Sequence, residues 1–216
     1  ATNVVKKTII DIITPIGIDH QEYLGETIEK ITKEKLGIIK EESTVIIGKQ
    51  KTYVKNYIKH KIKKFKNKKL FFNENFKIIN KNDNFFVFSY KNKKSLINKP
   101  KLLGKHQLDN AATAVMAIMQ IKNLNYKIKN SLINKGLNKT YWPGRLEKGV
   151  LNKIPVFLDG AHNISGAEQL SKFFSKGSKK RWVIFGMLKN KDIINFLLTI
   201  KNVIDGVIAI NIPKEK

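Results

Sequence analysis

Two short stretches of the sequence place side chains that can bind a ligand directly after apolar runs. Asp19 and His20 follow the run TIIDIITPIGI, and DGAHN, from Asp159 to Asn163, follows the run PVFL. Because ligands bind at the carboxyl ends of strands in open α/β sheets, both stretches are candidate site loops. A carboxylate, an imidazole and an amide beside two small residues suit a hydroxyl-rich ligand such as a ribose. The same Asp159 and Asn163 would also cap a plain strand-to-helix turn.

Three candidate side chains, His20 among them, remain ambiguous when each is taken alone. His20, as a lone loop histidine, also fits a surface or packing role, and Lys35 in the last turn of a predicted helix also complements the helix dipole. Arg145, within WPGR, is one of only two arginines in the chain, the other being Arg181. Lysine cannot replace a guanidinium that binds a phosphate through two hydrogen bonds, so Arg145 is a candidate phosphate ligand. An arginine at this position could also occur by chance.

The composition describes a strongly basic protein. The 216 residues include 42 Lys+Arg against 17 Asp+Glu, for a net charge of +25. Such a balance suggests a polyanionic partner. However, nearly all the cations are lysines spread along the chain, as an AT-rich coding sequence would produce, and direct readers of nucleic acids rely on arginine. We therefore expect solvated lysine faces and no nucleic-acid partner; a basic nucleic-acid-binding protein is the alternative of another class.

Several classes of site and location are disfavoured by what the sequence lacks. It has no cysteine, which excludes disulfides, a thiol nucleophile and cysteine-ligated metals. It has no apolar run of about 18 residues, as a membrane-spanning helix requires, and its first residues do not follow the pattern of a signal peptide. We expect a cytoplasmic protein that acts as a monomer.

Hydrophobic periodicity predicts an α/β chain. In the first part it predicts strands at 8–18 and 44–48, helices at 26–36 and 51–66, two or three strands within 71–90, a loop at 91–101, and helices at 109–121 and 128–137. Gly37 and Gly136 are expected to end helices, and Val54, Ile58, Ile62 and Phe65 to form the apolar stripe of the helix at 51–66.

The second part of the chain alternates short strands with helices. A junction at 139–147 precedes strands at 155–159, 181–185 and 206–210, which are separated by helices at 166–174 and 191–200. This alternation predicts a parallel sheet with helical crossovers.

Taken together and in order, the stretches TPIGIDHQEYLGETIEKITKEKLGIIK, LLGKHQLDNAATA, WPGRLE and LDGAHNISGA resemble the folylpolyglutamate synthase and dihydrofolate synthase family. GMLKNKD is similar to a further stretch of that family, which belongs to the wider Mur-ligase-like, ATP-dependent amide ligases. The resemblance implies an α/β fold in two parts. Residues 1–141 would be the C-terminal part of a P-loop-type ATPase domain, and residues 142–216 the N-terminal part of a Rossmann-like, glutamate-binding domain.

The resemblance also implies roles for single residues. They are Mg²⁺ binding by His20, carbamylation of Lys35, contact with the adenine side by Asn110, phosphate contact by Arg145, ribose binding by Asp159, and a place near the nucleotide and the incoming glutamate for His162. A carbamate turns a lysine into a carboxylate-like anion, which is a reasonable neighbour for Mg²⁺. Only an uncharged amine takes up CO₂, so Lys35 would first have to lose its proton.

The implied reaction is the activation of a carboxylate. ATP phosphorylates the carboxylate of dihydropteroate or of a folate, and the amine of L-glutamate then displaces phosphate from the acyl phosphate to form an amide. Mg²⁺ and Arg145 would offset charge on the transferred phosphoryl group. A Mur ligase of peptidoglycan synthesis is the alternative with the same chemistry. Whether the enzyme is a dihydrofolate synthase, a folylpolyglutamate synthase or both stays open.

The phosphate-binding pattern G-x-x-x-x-G-K-[ST] does not occur in the sequence. From the resemblance we expect the chain to be the middle of a ligase, inactive by itself and poorly stable, with an exposed edge in its first sheet. A truncated, non-catalytic relative is a third reading, against which the intact His20, Lys35, Arg145 and Asp159 argue.

Overall fold

The computed structural model of the chain describes residues 3–122, 124, 126, 128–175 and 180–212. They form two units. The first contains the described residues up to Leu102 together with His106–Tyr141, and the second contains Leu103–Lys105 and the described residues from Trp142 onward.

The first unit contains a parallel and an antiparallel sheet with five helices among its described residues. The strands are β1 (Ile10–Ile13), β2 (Thr44–Ile47), β3 (Lys68–Phe71), β4 (Phe76–Lys81), β5 (Phe85–Tyr90) and β6 (Lys93–Asn98). The helices are α1 (Gln21–Leu24), α2 (Ile28–Leu36), α3 (Thr52–Lys61), α4 (Lys105–Lys122) and α5 (Asn130–Lys139).

The parallel sheet has the order β1-β2-β3, so β2 is its central strand. Val45, Ile46 and Ile47 of β2 are fully buried, as expected for a parallel strand that is covered on both faces. Each such side chain contributes about 1.5–3 kcal/mol when it leaves water. On one face α2 and α3 supply a core cluster that includes Ile31 and Ile58, and α4 and β5 contribute to the cluster around Ile46.

The antiparallel sheet β4-β5-β6 was only partly predicted. Alternation in FFVFSY buries Phe86 and Phe88 on the core face, in keeping with the period of two residues in a strand. The expected loop at 91–101 is wrong, because β6 pairs with β5 along its whole length. The two strands are joined by Lys91 and Asn92, both at positive φ, as a two-residue hairpin turn requires.

Two helix details also differ from the sequence-based expectation. α3 ends at Lys61, so Phe65 lies beyond the helix and is 41% exposed rather than part of the apolar stripe. Gly136 lies within α5 and does not end it. Gly37 does end α2, but with φ of −61°, a conformation open to any residue.

The second unit holds two separate pairs of strands among its described residues. Its elements are β7 (Glu147–Leu151), β8 (Ile154–Leu158), α6 (Ile164–Phe174), β9 (Trp182–Phe185), α7 (Ile193–Ile200), a 3-10 turn at Lys201–Val203, and β10 (Gly206–Ala209). β9 and β10 are parallel, as predicted, whereas β8 pairs antiparallel with the unpredicted β7. A single parallel sheet through all three predicted strands is therefore wrong for this region, while the mixed α/β class with parallel sheets is confirmed.

A small apolar core holds the second unit together. Ala167, Phe196 and Ile200 are its buried members, and side chains of β9 such as Val183 and Phe185 pack against them. In the part of the chain that the structure describes, no helix combines the length and the apolar content needed to cross a bilayer.

Candidate functional site

The loop that follows β1 is held by a side chain from the segment after β2. The Gln50 carboxamide accepts a hydrogen bond from the Ile16 backbone N–H at 2.9 Å and donates one to the Thr14 carbonyl at 2.9 Å. We call this pair of bonds the Gln50 clamp. It ties the loop leading to Asp19 and His20 to the carboxyl end of the neighbouring strand. Sequence reasoning missed Gln50, because nothing in its local pattern distinguishes it from a surface glutamine.

Asp19 and His20 lie at the start of α1. The Asp19 carboxylate accepts a hydrogen bond from the backbone N–H of His20 at 2.9 Å, and lies 3.6 Å from the imidazole Nε2. The His20 backbone is left-handed, with φ of 51°, which costs an L-residue about 1 kcal/mol. Strained positions cluster at functional sites, and a carboxylate beside an imidazole is a pair of metal-ligand types.

Lys35 is exposed in the last turn of α2. The helix starts at Thr27, whose side chain accepts a hydrogen bond from the Lys30 backbone N–H. At its N-terminal end Glu29 accepts a hydrogen bond from the Tyr53 hydroxyl of α3, which lowers the pKa of Glu29 and raises the pKa of Tyr53. These contacts fix the helix that carries Lys35, whose carbamylation stays a prediction.

The first turns of α4 lie beside the segment that follows β2. Asp109 pairs with Lys49 at 3.0 Å, and a Cβ added at Gly48 would sit 3.3 Å from the Thr113 hydroxyl. Asn110, one residue further, is exposed and donates through its amide to the side chain of the buried Gln107 at 3.1 Å.

The segment 48–50 therefore positions two candidate regions of the first unit. Lys49 fixes the start of α4, which carries Asn110, and Gln50 fixes the loop before His20. Lys35 lies on a third element, at the end of α2.

In the second unit the WPGR and DGAHN stretches lie side by side. One Asp159 carboxylate oxygen accepts a hydrogen bond from the Leu146 backbone N–H and the other from the Ala161 N–H, each at 2.8 Å. The backbone N–H of Gly160 donates to the Gly144 carbonyl at 2.8 Å. The fold thus brings Asp159 next to the turn that contains Arg145, and each carboxylate oxygen keeps lone pairs for a further donor.

The rest of the DGAHN stretch forms the start of α6. Asn163 caps the helix by accepting a hydrogen bond from the Gly166 backbone N–H at 2.8 Å, so the cap alternative is correct for Asn163. Gly166 has no room for a side chain, since a Cβ there would sit 2.8 Å from the Ala161 Cβ. His162 Nδ1 lies 2.8 Å from the Gly160 carbonyl. A carbonyl only accepts, so this contact places the hydrogen of a neutral imidazole on Nδ1.

Comparisons with known proteins point to one family. The sequence profile of the Mur ligase middle domain matches residues 3–118. The dihydrofolate synthase/folylpolyglutamate synthase of Bacillus subtilis (strain 168) is 32% identical over 94% of this chain and 48% of its own length. A probable dihydrofolate synthetase of Schizosaccharomyces pombe is 30% identical over 98% of this chain and 51% of its own length.

A solved structure described as an FPGS-AMPPCP-folate complex shares the fold. It superposes with a TM-score of 0.87 at 27% identity, over 98% of this chain and 53% of the compared chain. The chain thus spans about half the length of the curated relatives that it matches.

Proposed function

The chain belongs to the Mur ligase family, and from this premise we propose that the protein is an ATP-dependent ligase that joins L-glutamate to dihydropteroate, to folates, or to both. The observation that carries the proposal is the similarity, along 94% of the chain, to a protein named for both of these activities. The relatives named in the comparisons favour this reading over a peptidoglycan ligase and over a nucleic-acid-binding protein.

We assign the first unit to the ATP-binding domain and the second to the glutamate-binding domain. The matched profile of the middle domain, residues 3–118, supports the first assignment. The second rests on the sequence resemblance of the segment from 142 onward. We further propose that the protein works as a monomer in the cytoplasm, where ATP and folates are available.

Three side chains are proposed to bind the nucleotide. Asn110 would contact the adenine side, Arg145 the phosphates, and Asp159 the ribose hydroxyls. Support comes from the exposure of all three side chains and from the bonds that fix Asp159 beside the Arg145 turn. A guanidinium suits a phosphoryl group because its planar donors match the phosphate oxygens.

Mg²⁺ is the metal that the family implies, and the residues at the start of α1 fit it. Asp19 offers a carboxylate oxygen, which is the ligand type that Mg²⁺ prefers, and His20 offers an imidazole nitrogen beside it. We propose that these two side chains hold the ion. When bound, Mg²⁺ supplies neutralisation of the negative charge on the phosphates.

The proposed reaction has two steps. A carboxylate oxygen of the pteroate or folate attacks the γ-phosphorus of ATP, and the bond to the ADP oxygen breaks. The glutamate amine attacks the resulting acyl phosphate, loses a proton, and expels phosphate, which carries away the former carboxylate oxygen. Arg145 would stabilise the phosphoryl oxygens. His162 directly precedes Asn163, the cap of α6, and we propose that it orients the incoming glutamate. A carbamylated Lys35 would add negative charge near the metal.

The test is glutamate incorporation by the gene product that contains this chain, as it occurs in the cell. ATP, Mg²⁺, labelled L-glutamate and either dihydropteroate or tetrahydrofolate are supplied, and amide and ADP are quantified. Amide formation in step with ADP release is expected, and its absence with both acceptors would refute the proposal.

The two arginines of the chain provide a matched pair of variants for this assay. Arg145→Lys should lower kcat by roughly 10²-fold, as the loss of a group that stabilises the transition state does. Arg181→Lys should leave kcat within about twofold, because the Arg181 guanidinium donates to the Val203 carbonyl and lies over the Phe174 ring within the second unit. Equal losses in both variants would contradict the role of Arg145.

A further inference from the structure

Arg145 lies in a tight turn, residues 144–147, whose backbone is unusual on both sides of it. Gly144 and Leu146 have φ of 65° and 48°, both in the left-handed region. Glycine adopts this conformation readily, but a leucine rarely does. Leu146 is also 3% exposed. Surrounding contacts must therefore hold this turn, which we call the Arg145 turn.

Two carboxylates hold the Arg145 turn. The Glu147 Oε2 accepts a hydrogen bond from the Gly144 backbone N–H at 3.0 Å, and the Asp159 Oδ2 accepts one from the Leu146 N–H at 2.8 Å. The bonds thus reach the residues immediately before and after Arg145. Hydrogen bonds from a backbone N–H to an ionised carboxylate are stronger than neutral ones.

The hairpin β7-β8 explains why these two carboxylates lie together. Glu147 is the first residue of β7 and pairs with Leu158, the last residue of β8. Asp159 follows directly. The open end of the hairpin therefore presents both carboxylates to the same turn, and the strand ladder fixes their backbones.

We propose that Glu147 is a positioning residue for Arg145, which it orients by holding the N–H of Gly144. This inference rests on the proposed function in one respect, namely that Arg145 contacts the transferred phosphoryl group. Glu147 itself need not touch a substrate. Its effect on the reaction therefore passes through Arg145, which separates it from a residue that merely stabilises the second unit.

The first test is a double-mutant cycle in the ligase assay, with kcat and KM for ATP measured for each variant. Glu147→Ala should lower kcat by about tenfold with little change in KM, because small displacements of a catalytic group are costly. In an Arg145→Ala background the same change should cost nothing more. A tenfold loss in both backgrounds would overturn the proposal.

Two further variants keep the test decisive. Lys148→Ala alters the next, exposed residue of β7 and should leave kcat within about twofold. Glu147→Gln keeps an oxygen that can accept the bond, so it should lose only about two- to threefold. If Glu147→Ala does not fold, the cycle is run with Glu147→Gln, and a loss that is equal in both arginine backgrounds counts against the proposal.

Amide hydrogen exchange separates this inference from the proposed function. In the 216-residue protein the Gly144 amide should exchange about tenfold more slowly than in Glu147→Ala, while amides of α7 keep their rates. Equal Gly144 rates in the two proteins would overturn the positioning role even if the ligase is active. Slow Gly144 exchange, combined with no ligase activity in the gene product that contains this chain, would sustain the bond and refute the proposed function alone.

Discussion

Replacing Gln50 with leucine removes the Gln50 clamp while keeping a side chain of similar size. Two hydrogen bonds are lost, and each is worth about 1 kcal/mol net. The Ile16 N–H is partly buried, so it does not recover a full bond to water. We expect the free energy of unfolding of the first unit to fall by about 2 kcal/mol. With a urea dependence of about 2 kcal/mol per M, the midpoint falls by about 1 M.

Gln50→Glu tests the direction of both bonds. The introduced carboxylate still accepts from the Ile16 N–H, but it cannot donate to the Thr14 carbonyl and instead faces it with a second oxygen. At pH 7 the free energy of unfolding should fall by at least as much as in Gln50→Leu. A protonated acid can donate again, so the folded state raises the pKa of the introduced acid above its unfolded value of about 4.3. Stability should therefore recover as the pH falls towards that value.

Urea unfolding followed by far-ultraviolet circular dichroism measures both variants, and exchange of the Ile16 amide reports the clamp directly. Gln169→Leu, on α6 of the second unit, is the matched control, with an expected change within about 0.5 kcal/mol. An unchanged midpoint in Gln50→Leu would refute the clamp. A Gln50→Glu variant whose stability equals that of Gln50→Leu at every pH would also refute the clamp.

Three further predictions concern stability. Asp11 is 4% exposed and accepts two hydrogen bonds. Asp11→Ala should therefore lower the free energy of unfolding, measured in urea, by about 3 kcal/mol. The control Asp83→Ala, at an exposed position, should lower it by only about 0.5 kcal/mol. Glu74 pairs with two lysines that lower its pKa; Glu74→Gln should cost about 0.5–1 kcal/mol at pH 7, and nothing once the pH falls below the folded-state pKa. Gly166→Ala should destabilise the second unit by about 1–3 kcal/mol, because the added methyl group clashes with Ala161. Gly136→Ala, in open space within α5, should instead stabilise the first unit by about 0.5–1 kcal/mol. Thermal unfolding measures both changes.

The parts of the fold that the sequence predicts are those with strong local patterns. The apolar run of β2 and the helical stripe of α3 indicate buried elements, and the structure confirms both. β6 was missed because four of the six residues in KKSLIN are polar, and only its pairing with β5 makes it a strand. Phe65 was misplaced because α3 ends one turn earlier than its periodicity suggests.

The sequence indicates candidate site residues but not the hydrogen bonds that connect them. The resemblance of the motifs to the folate ligase family is confirmed by the comparisons. The Gln50 clamp and the bond from Leu146 to Asp159 join residues that are far apart in sequence. No local pattern encodes such bonds, since their partners meet only after the strands have paired. The roles of the single site residues stay predictions.

The formation of an acyl phosphate is the central claim, and the fate of the carboxylate oxygens tests it most directly. Dihydropteroate or a folate labelled with ¹⁸O in the reacting carboxylate is incubated with ATP, Mg²⁺ and L-glutamate and the gene product that contains this chain. The account predicts one labelled oxygen in each phosphate released, with ADP as the other product. Unlabelled phosphate, or AMP and pyrophosphate in place of ADP and phosphate, would contradict it.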